Sequence, residues 1–519
     1  MNKRFLKTPL IFCILHVLLF ILIGTWIFKQ NKEIALVEPA LENGKLQCVS
    51  YAPYYGKDQT PLIPTTRISQ EQIDSDLAKL AKITDCVRTY SVSQGMDYVP
   101  KAAKKFGLNV YLGVWIGWVD KMNQAEIALA TQVANAHPET VKAIVVGNEV
   151  LLRGEQKEST MQRYIQQVRK NTNAKITYAD VWEFWKKHRG MEQHVDFITV
   201  HILPYWEDHP IAIGQAVYHT TNVMNELKTV FSKPILIGET GWPSMGRQRF
   251  EASPSLVNEA KYIREFLSAA QANNWQYNVI EAIDQPWKRN LEGTVGGYWG
   301  IFATDFTPKF SLNGTVSARN DGLKPIIFAL LGAGLLLALA LQKNESRTLV
   351  LLGVAVLGAS AGLVAMLQWD YLFAACRNIN EWLTLGSVAL IGWLMVAAQP
   401  WAINNIAMHQ ATRKDCQWLT QFGLIALVIA GFISSYLIFT DGRYRDFPTL
   451  LFMLPALTLV IQRACGFSSI QHYGYLALSF FASVLAWMCL QLEPNNVSAM
   501  CWLALQVLLL LASLPKKSI

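Results

Sequence analysis

Seven apolar runs fill the C-terminal 195 residues, at about 325–342, 349–368, 382–398, 417–439, 448–462, 473–492 and 498–514. A helix needs roughly 20 apolar residues to cross the hydrocarbon core of a bilayer. The chain therefore has to fold in two solvents. Past Lys324 about 9% of the residues are charged, with 10 Lys/Arg and 7 Asp/Glu, against about 21% in residues 31–324. An apolar share of 52% and a positive mean hydropathy exclude a disordered or wholly water-soluble protein. The polar stretch is long enough for one large domain with a buried core. The net charge of +8 gathers largely beside the apolar runs. There is no basic patch interleaved with aromatics, which argues against a nucleic-acid partner.

A further apolar run, Pro9 to Phe28, follows Lys3, Arg4 and Lys7. It reads as an uncleaved signal anchor. The run is longer than a usual signal-peptide core, and Trp26-Ile27-Phe28-Lys29 offers no small-x-small cleavage site. The expected organisation is an anchor in residues 1–30, a polar domain in 31–324 and a polytopic membrane domain in 325–519, with eight spans in all. Positive residues in short loops resist translocation. With the N-terminus in the cytoplasm, Lys3, Arg4, Lys7, Lys343, Arg347, Arg413, Lys414, Arg463, Lys516 and Lys517 lie inside, and only Arg377, Arg443 and Arg445 lie outside. Both termini are thus expected in the cytoplasm and the polar domain on the outer face. The run at 448–462 is short and follows Pro448, which makes it the weakest of the eight. No Asp, Glu, Lys or Arg falls mid-span, so the membrane part reads as an anchor rather than an ion or proton path.

Only Cys48 and Cys86 lie in the polar domain. On an oxidising face they are a disulfide candidate, and two buried thiols acting as small hydrophobes are the equal alternative. No C-x2-C or H-E-x-x-H spacing occurs, and no Gly-rich phosphate loop follows a strand. No metal, nucleotide or redox cofactor is expected.

Within the polar domain, short runs rich in Val, Ile, Leu and Tyr alternate with stretches of helical period. Strands are predicted at 46–53, 85–90, 109–115, 142–149, 174–179, 196–202, 234–239 and 277–284. Helices are predicted near 69–83, 96–106, 123–136, 158–171, 182–190, 211–231 and 255–273, with Ser69 and Glu71 marking a helix start. Eight strands with crossover helices in about 290 residues have the arithmetic of an α/β (β/α)8, or TIM, barrel. That fold puts its active face at the C-terminal ends of the strands. Polar residues stand there: Tyr54 after the first strand, Arg88 and Tyr90 at the second, Asn148 and Glu149 at the fourth, His201 and Tyr205 at the sixth, Glu239 at the seventh and Asp284 at the eighth.

Glu149 and Glu239 thus face one mouth. A glycosidic bond is cleaved by such a pair, one carboxyl giving a proton to the leaving oxygen and one carboxylate attacking or activating water. Arg88 near Glu239 would keep that carboxylate ionised. Asn148 is placed to hydrogen-bond a sugar 2-hydroxyl.

The stretches VVGNEVL (145–151) and LIGETGWPS (236–244) resemble the two signature strands of glycoside hydrolase family 17, the β-1,3-glucanases, and the resemblance covers roughly residues 45 to 315. It implies a retaining mechanism with Glu149 as acid/base and Glu239 as nucleophile, through a covalent glucosyl-enzyme. Retention predicts carboxyl groups about 5 to 5.5 Å apart. In plant members an Asp-Glu, a Lys and a second Glu follow the eighth strand; here Gln285 replaces the first Glu. Asp284, Lys288 and Glu292 are expected to form a supporting network without a catalytic role.

Aromatics crowd the predicted mouth: Tyr54, Trp115, Trp118, Trp182, Trp206, Trp242, Trp287 and Trp299. Sugar faces pack on such rings, and Trp242, three positions past Glu239, is the foremost contact expected. His201 and Tyr205 are expected to position the nucleophile. Three functions compete: a membrane-anchored β-1,3-glucan hydrolase, a β-1,3-glucanosyltransferase that cuts and rejoins β-glucan, and a non-catalytic glucan-binding scaffold for a glucan synthase. Two intact carboxylates argue against the third. The arrangement is that of a bacterial inner-membrane protein working on the periplasmic face, beside a membrane glucan synthase.

Overall fold

A computed structural model describes residues 3–341, 348–407, 414–464 and 473–515. The chain forms two compact units, one of Ile34–Met245 and Ala252–Val316, the other of Met1–Glu33, Gly246–Glu251 and Ser317–Ile519.

The first unit is a closed barrel of eight parallel strands: β1 (Val49–Ser50), β2 (Cys86–Arg88), β3 (Asn109–Val114), β4 (Val141–Asn148), β5 (Lys175–Val181), β6 (Ile198–His201), β7 (Ile235–Thr240) and β8 (Gln276–Val279). Each strand pairs with its sequence neighbours, and β1 closes the ring on β8 through Val49 and Val279. β4 shows why these runs become strands: along VKAIVVGN every residue but Lys142 is buried, as in a sheet covered on both faces. A separate two-residue ribbon pairs Ile34–Ala35 with Thr315–Val316.

The crossover helices follow the amphipathic stretches. Ser69 caps the first, Gln70–Leu80, by accepting from the amide of Gln72. Glu158–Asn171 buries Met161, Tyr164, Ile165 and Val168, one face of a 3.6-residue period. The eighth strand has no such helix. Pro286, Gly293, Gly296 and Gly297 break the chain there into the short turns Pro286–Lys288, Arg289–Glu292 and Thr294–Gly297. Cys48 and Cys86, flanking the β1–β2 pair, form a disulfide, which decides between the two readings of these cysteines.

The second unit has helices at all eight expected places, and among the described residues six are long and apolar enough to cross a membrane: Leu10–Asn31, Lys324–Leu341, Thr348–Ala375, Ile379–Trp401, Thr420–Thr440 and Tyr473–Leu492. Thr449–Arg463 and Val497–Ser513 are shorter. Lys324–Leu341 and Thr348–Ala375 approach so closely that a Cβ on Gly332 would lie 2.1 Å from the Gly358 carbonyl oxygen, the small-residue packing typical of helices in lipid. Arg445 and Arg377 both pair with Glu381, joining the loops at 376–381 and 441–448. The loops carrying Lys343, Arg347 and Arg413, the terminal Lys516 and Lys517, and the side chains of Lys3, Arg4, Lys7 and Lys414, on which the orientation argument draws, lie outside the described residues.

Candidate active site

Two glycines aim the carboxylates. In β4 the pairing with β5 shifts register between Val145 and Asn148, and Gly147 at φ +87° takes the kink. Glu149 follows at φ +53°, a left-handed conformation rare for a side chain of this size, so its backbone holds strain at the strand end. In β7 the register shifts between Ile237 and Thr240, and a Cβ on Gly238 would meet Thr199 Cγ2 at 2.3 Å. Only glycine lets β6 and β7 close up just before Glu239.

The carboxylates meet across the barrel mouth. A carboxylate oxygen of Glu149, one of Glu239 and a ring nitrogen of His201 all lie within 4.8 Å of one another. Arg88, 1% exposed, donates from Nη1 to Glu239 Oε1 at 3.0 Å and to the Gly238 carbonyl at 2.7 Å, and from Nη2 to Asn148 Oδ1. Its guanidinium supplies the positive charge these carboxylates need. The Tyr90 hydroxyl donates to the same Glu239 oxygen at 2.9 Å. Among the described residues no protein hydrogen bond engages Glu239 Oε2, which leaves one carboxylate oxygen held and the other open.

Glu149 sits in a contrasting setting. Its Oε1 is 2.7 Å from His201 Nδ1. Burial raises its pKa, but the hydrogen bond and charge of His201, with Arg153 and Arg88, outweigh burial and hold it below the ordinary glutamate value. His201 thus bonds Glu149 through Nδ1, and its Nε2 lies 3.5 Å from Glu239 Oε1. Asp180, near the end of β5, is pushed up to about 6 by burial despite the Tyr178 hydroxyl that bonds it, with Glu149 adding to the rise.

Other expected residues fall elsewhere. Trp242 is wholly buried: its ring packs against Tyr205 and Tyr262 and its Nε1 donates to the Ser253 carbonyl, so it anchors the turn after β7 and offers sugar no face. Tyr205 is buried too, in contact with Trp206, Trp242 and Trp299, and so supports the wall of the site. Tyr54 is buried with its hydroxyl on Gln94. The exposed rings are Trp118 (71%) and Trp115 (42%), the latter stacked on Arg153; Trp182, Trp206 and Trp287 are half-buried.

Asp284 is not in one network with Lys288. It accepts from Lys309 at 2.9 Å and from the amide of Gly300. Lys288 instead pairs at 2.8 Å with Glu281, a residue sequence reasoning passed over. Burial pushes Glu281 up to about 7 against the pull of Lys288, and burial likewise raises Glu292 to about 7, with Glu281, Glu149 and Glu239 adding to the rise. The signal for Glu281 was a carboxylate inside the apolar run YNVIEAID, where a charge needs a partner. Asp180 inside KITYADV carried the same signal.

A TIM barrel with two facing carboxylates at the strand ends is the frame of an enzyme acting on glycosidic bonds. Residues 48–300 match the BtgE/BtgC glycoside hydrolase domain. The chain is 28% identical over 273 residues to a glucan 1,3-beta-glucosidase of Arthroderma benhamiae, covering 49% of this chain and 87% of that protein. It is 26% identical over 271 residues to one of Saccharomyces cerevisiae, covering 47% and 86%. Among solved structures it is similar to the Rhizomucor miehei β-1,3-glucanosyltransferase complexed with laminaritriose (24% identity, TM-score 0.46, covering 52% of this chain and 98% of that one). The barrel of this chain is similar to the BtgE/BtgC glycoside hydrolase domain and to glucan 1,3-beta-glucosidases, in keeping with the resemblance to glycoside hydrolase family 17 read from its two signature strands.

Proposed function

We propose that the barrel is a retaining enzyme for β-1,3-glucan, with Glu239 as nucleophile and Glu149 as acid/base. The observation that carries this reading is the approach of the two carboxylates, one oxygen of each lying within 4.8 Å of the other, in keeping with the close pair of a retaining enzyme. Glu239 Oε2 attacks the anomeric carbon while Oε1 stays bound to Arg88 and Tyr90. Glu149 protonates the departing oxygen. In the second half-reaction Glu149 takes a proton from the incoming hydroxyl, and the glucosyl ester of Glu239 is cleaved with net retention. Asn148, fixed through Oδ1 by Arg88, presents its amide toward the sugar 2-hydroxyl. Trp115 and Trp118 are the exposed rings on which further glucose units would pack.

The reading extends to the whole chain: residues 1–30 anchor, 31–324 catalyse and 325–519 are embedded in the inner membrane of a bacterium. Both termini are cytoplasmic, the barrel is periplasmic, and a membrane glucan synthase supplies the substrate. The Cys48–Cys86 disulfide supports an oxidising compartment, and the Arg445–Glu381 pair supports placing both outer loops on one side.

The test is mass spectrometry of products from the full chain in nanodiscs with a defined β-1,3-gluco-oligosaccharide, with Glu239→Gln as control. Shorter products of retained configuration are expected, and absence of turnover by the wild type rejects the reading. Products longer than the substrate make it the glucanosyltransferase. Unimpaired Glu239→Gln rejects the nucleophile assignment.

A further inference from the structure

An imidazole lies between the two carboxylates. His201, 1% exposed at the end of β6, has Nδ1 2.7 Å from Glu149 Oε1, and Nε2 3.5 Å from Glu239 Oε1 and 3.4 Å from Arg88 Nη1. A guanidinium only donates hydrogen bonds. Facing Arg88, the Nε2 of a neutral imidazole is therefore an acceptor, and Nδ1–H donates to Glu149. In the imidazolium both nitrogens donate, and the second proton faces Glu239. The site thus has partners for either protonation state.

That arrangement answers a difficulty in the acid step. Glu149 must carry a proton when the sugar leaves, yet its neighbours favour the ionised form. A second proton-binding atom stands at hydrogen-bond distance. Resting on the acid/base reading of Glu149, we propose that Glu149 and His201 hold one proton between them, and that this shared proton is the one that leaves with the departing sugar. His201 is then a positioning residue that acts through Glu149.

The charges facing the pair are the cations Arg88 on β2 and Arg153 in the turn after β4, and the acids Asp180 on β5, Glu239 on β7 and Glu292 beyond β8. The Tyr178 hydroxyl also faces Glu149. In the first half-reaction the pair's proton passes to the leaving oxygen as its bond to the anomeric carbon breaks and the bond to Glu239 Oε2 forms. Glu149 carboxylate and neutral His201 remain; because the proton left by way of Nδ1 and Glu149, the imidazole at this stage keeps the proton on Nε2, which faces Glu239 Oε1. In the second, the acceptor hydroxyl returns a proton to the pair as its oxygen bonds the anomeric carbon and the ester to Glu239 breaks.

The experiment is the pH dependence of kcat/KM on a β-1,3-gluco-oligosaccharide, measured for the full chain in nanodiscs as wild type and as His201→Asn. Asparagine keeps a neutral N–H toward Glu149 but has no second proton-binding atom. Two coupled positions hold a proton more tightly than one, so the basic limb of the variant is expected to move to lower pH by about one unit or more. A limb that stays put while the rate falls assigns His201 a purely structural role and overturns the proposal. His201→Gln, also a neutral amide donor, is the second variant, with the same expected shift. The wild type gives a measurement that needs no variant. Loss of a proton from an imidazolium absorbs much more heat than loss from a carboxyl, so warming is expected to move the basic limb to lower pH, and a limb fixed against temperature overturns the proposal. Absence of any turnover by the wild type rejects the glycosidase reading itself, a different failure from an active enzyme with an unmoved limb.

Discussion

Arg88 shows how a single side chain organises this site. Its guanidinium is buried, lies over the Tyr90 ring and bonds Glu239, the Gly238 carbonyl and Asn148, so it joins β2, β4 and β7 across the barrel interior. Removing one partner of a buried ion pair leaves the other charge uncompensated, which costs roughly 3 to 5 kcal/mol. Arg88→Met is therefore expected to lower the denaturation midpoint of the full chain and to reduce turnover about a hundredfold or more, the scale of losing a preorganised electrostatic contact. Turnover within a few-fold of wild type would remove Arg88 from the machinery. At this scale the sequence was informative about residues that end strands, because a polar group closing an apolar run has few uses. It was silent on partners. Lys288 could be assigned to Asp284 or to Glu281 with equal sense from spacing, and the fold chose Glu281 by bringing Lys309 to Asp284 instead. Trp242 misled because proximity in sequence to Glu239 says nothing of which way a ring turns after the strand ends.

Elements set where those side chains point. The register shifts in β4 and β7 each precede a carboxylate, and each contains a glycine whose absent side chain makes room for the neighbouring chain. Gly238→Ala forces a methyl against Thr199 Cγ2, and such overpacking costs typically about 1 to 3 kcal/mol. The variant is expected to lose both stability and activity. Adding Thr199→Ser deletes the clashing methyl and keeps the hydroxyl that bonds Thr177, so the double variant is expected to recover most of the loss. A double-mutant cycle on denaturation midpoints measures this, and simple additivity of the two losses would contradict the close approach. All eight strands and seven helices of the barrel were legible from periodicity, since a strand buried on both faces and an amphipathic helix leave distinct patterns. The missing eighth helix was legible in principle from its proline and glycines. The bulges were not, because they depend on the neighbouring strand.

For the molecule as a whole, two constraints act on the barrel: closure of the sheet and the disulfide beside its first two strands. Cys48 and Cys86 are 38 residues apart, and closing a loop of that length limits the unfolded chain by about 4 kcal/mol in the chain-entropy treatment. Thermal unfolding of the full chain with and without a thiol reductant is expected to show a lower midpoint for the barrel when reduced. Equal midpoints would mean the bond contributes nothing to stability. Away from the barrel, the hydrophobic segments behave as their composition demands, with buried contacts supplied by other apolar helices. Among the described residues six of the eight are long and apolar enough to span, and the two short ones lie where composition offered no warning beyond length and Pro448.

What was legible in the sequence by itself was the contrast between a polar stretch and apolar runs, the barrel's alternation of elements and the carboxylates that end β4 and β7, since composition, periodicity and a strand-end carboxylate are local properties. The tertiary structure alone decided the disulfide, the burial of Trp242, the pairing of Lys288 with Glu281 and the seat of His201 between Glu149 and Glu239. Each of these depends on which atoms closure of the barrel brings within a few ångströms, a distance that no spacing along the chain encodes.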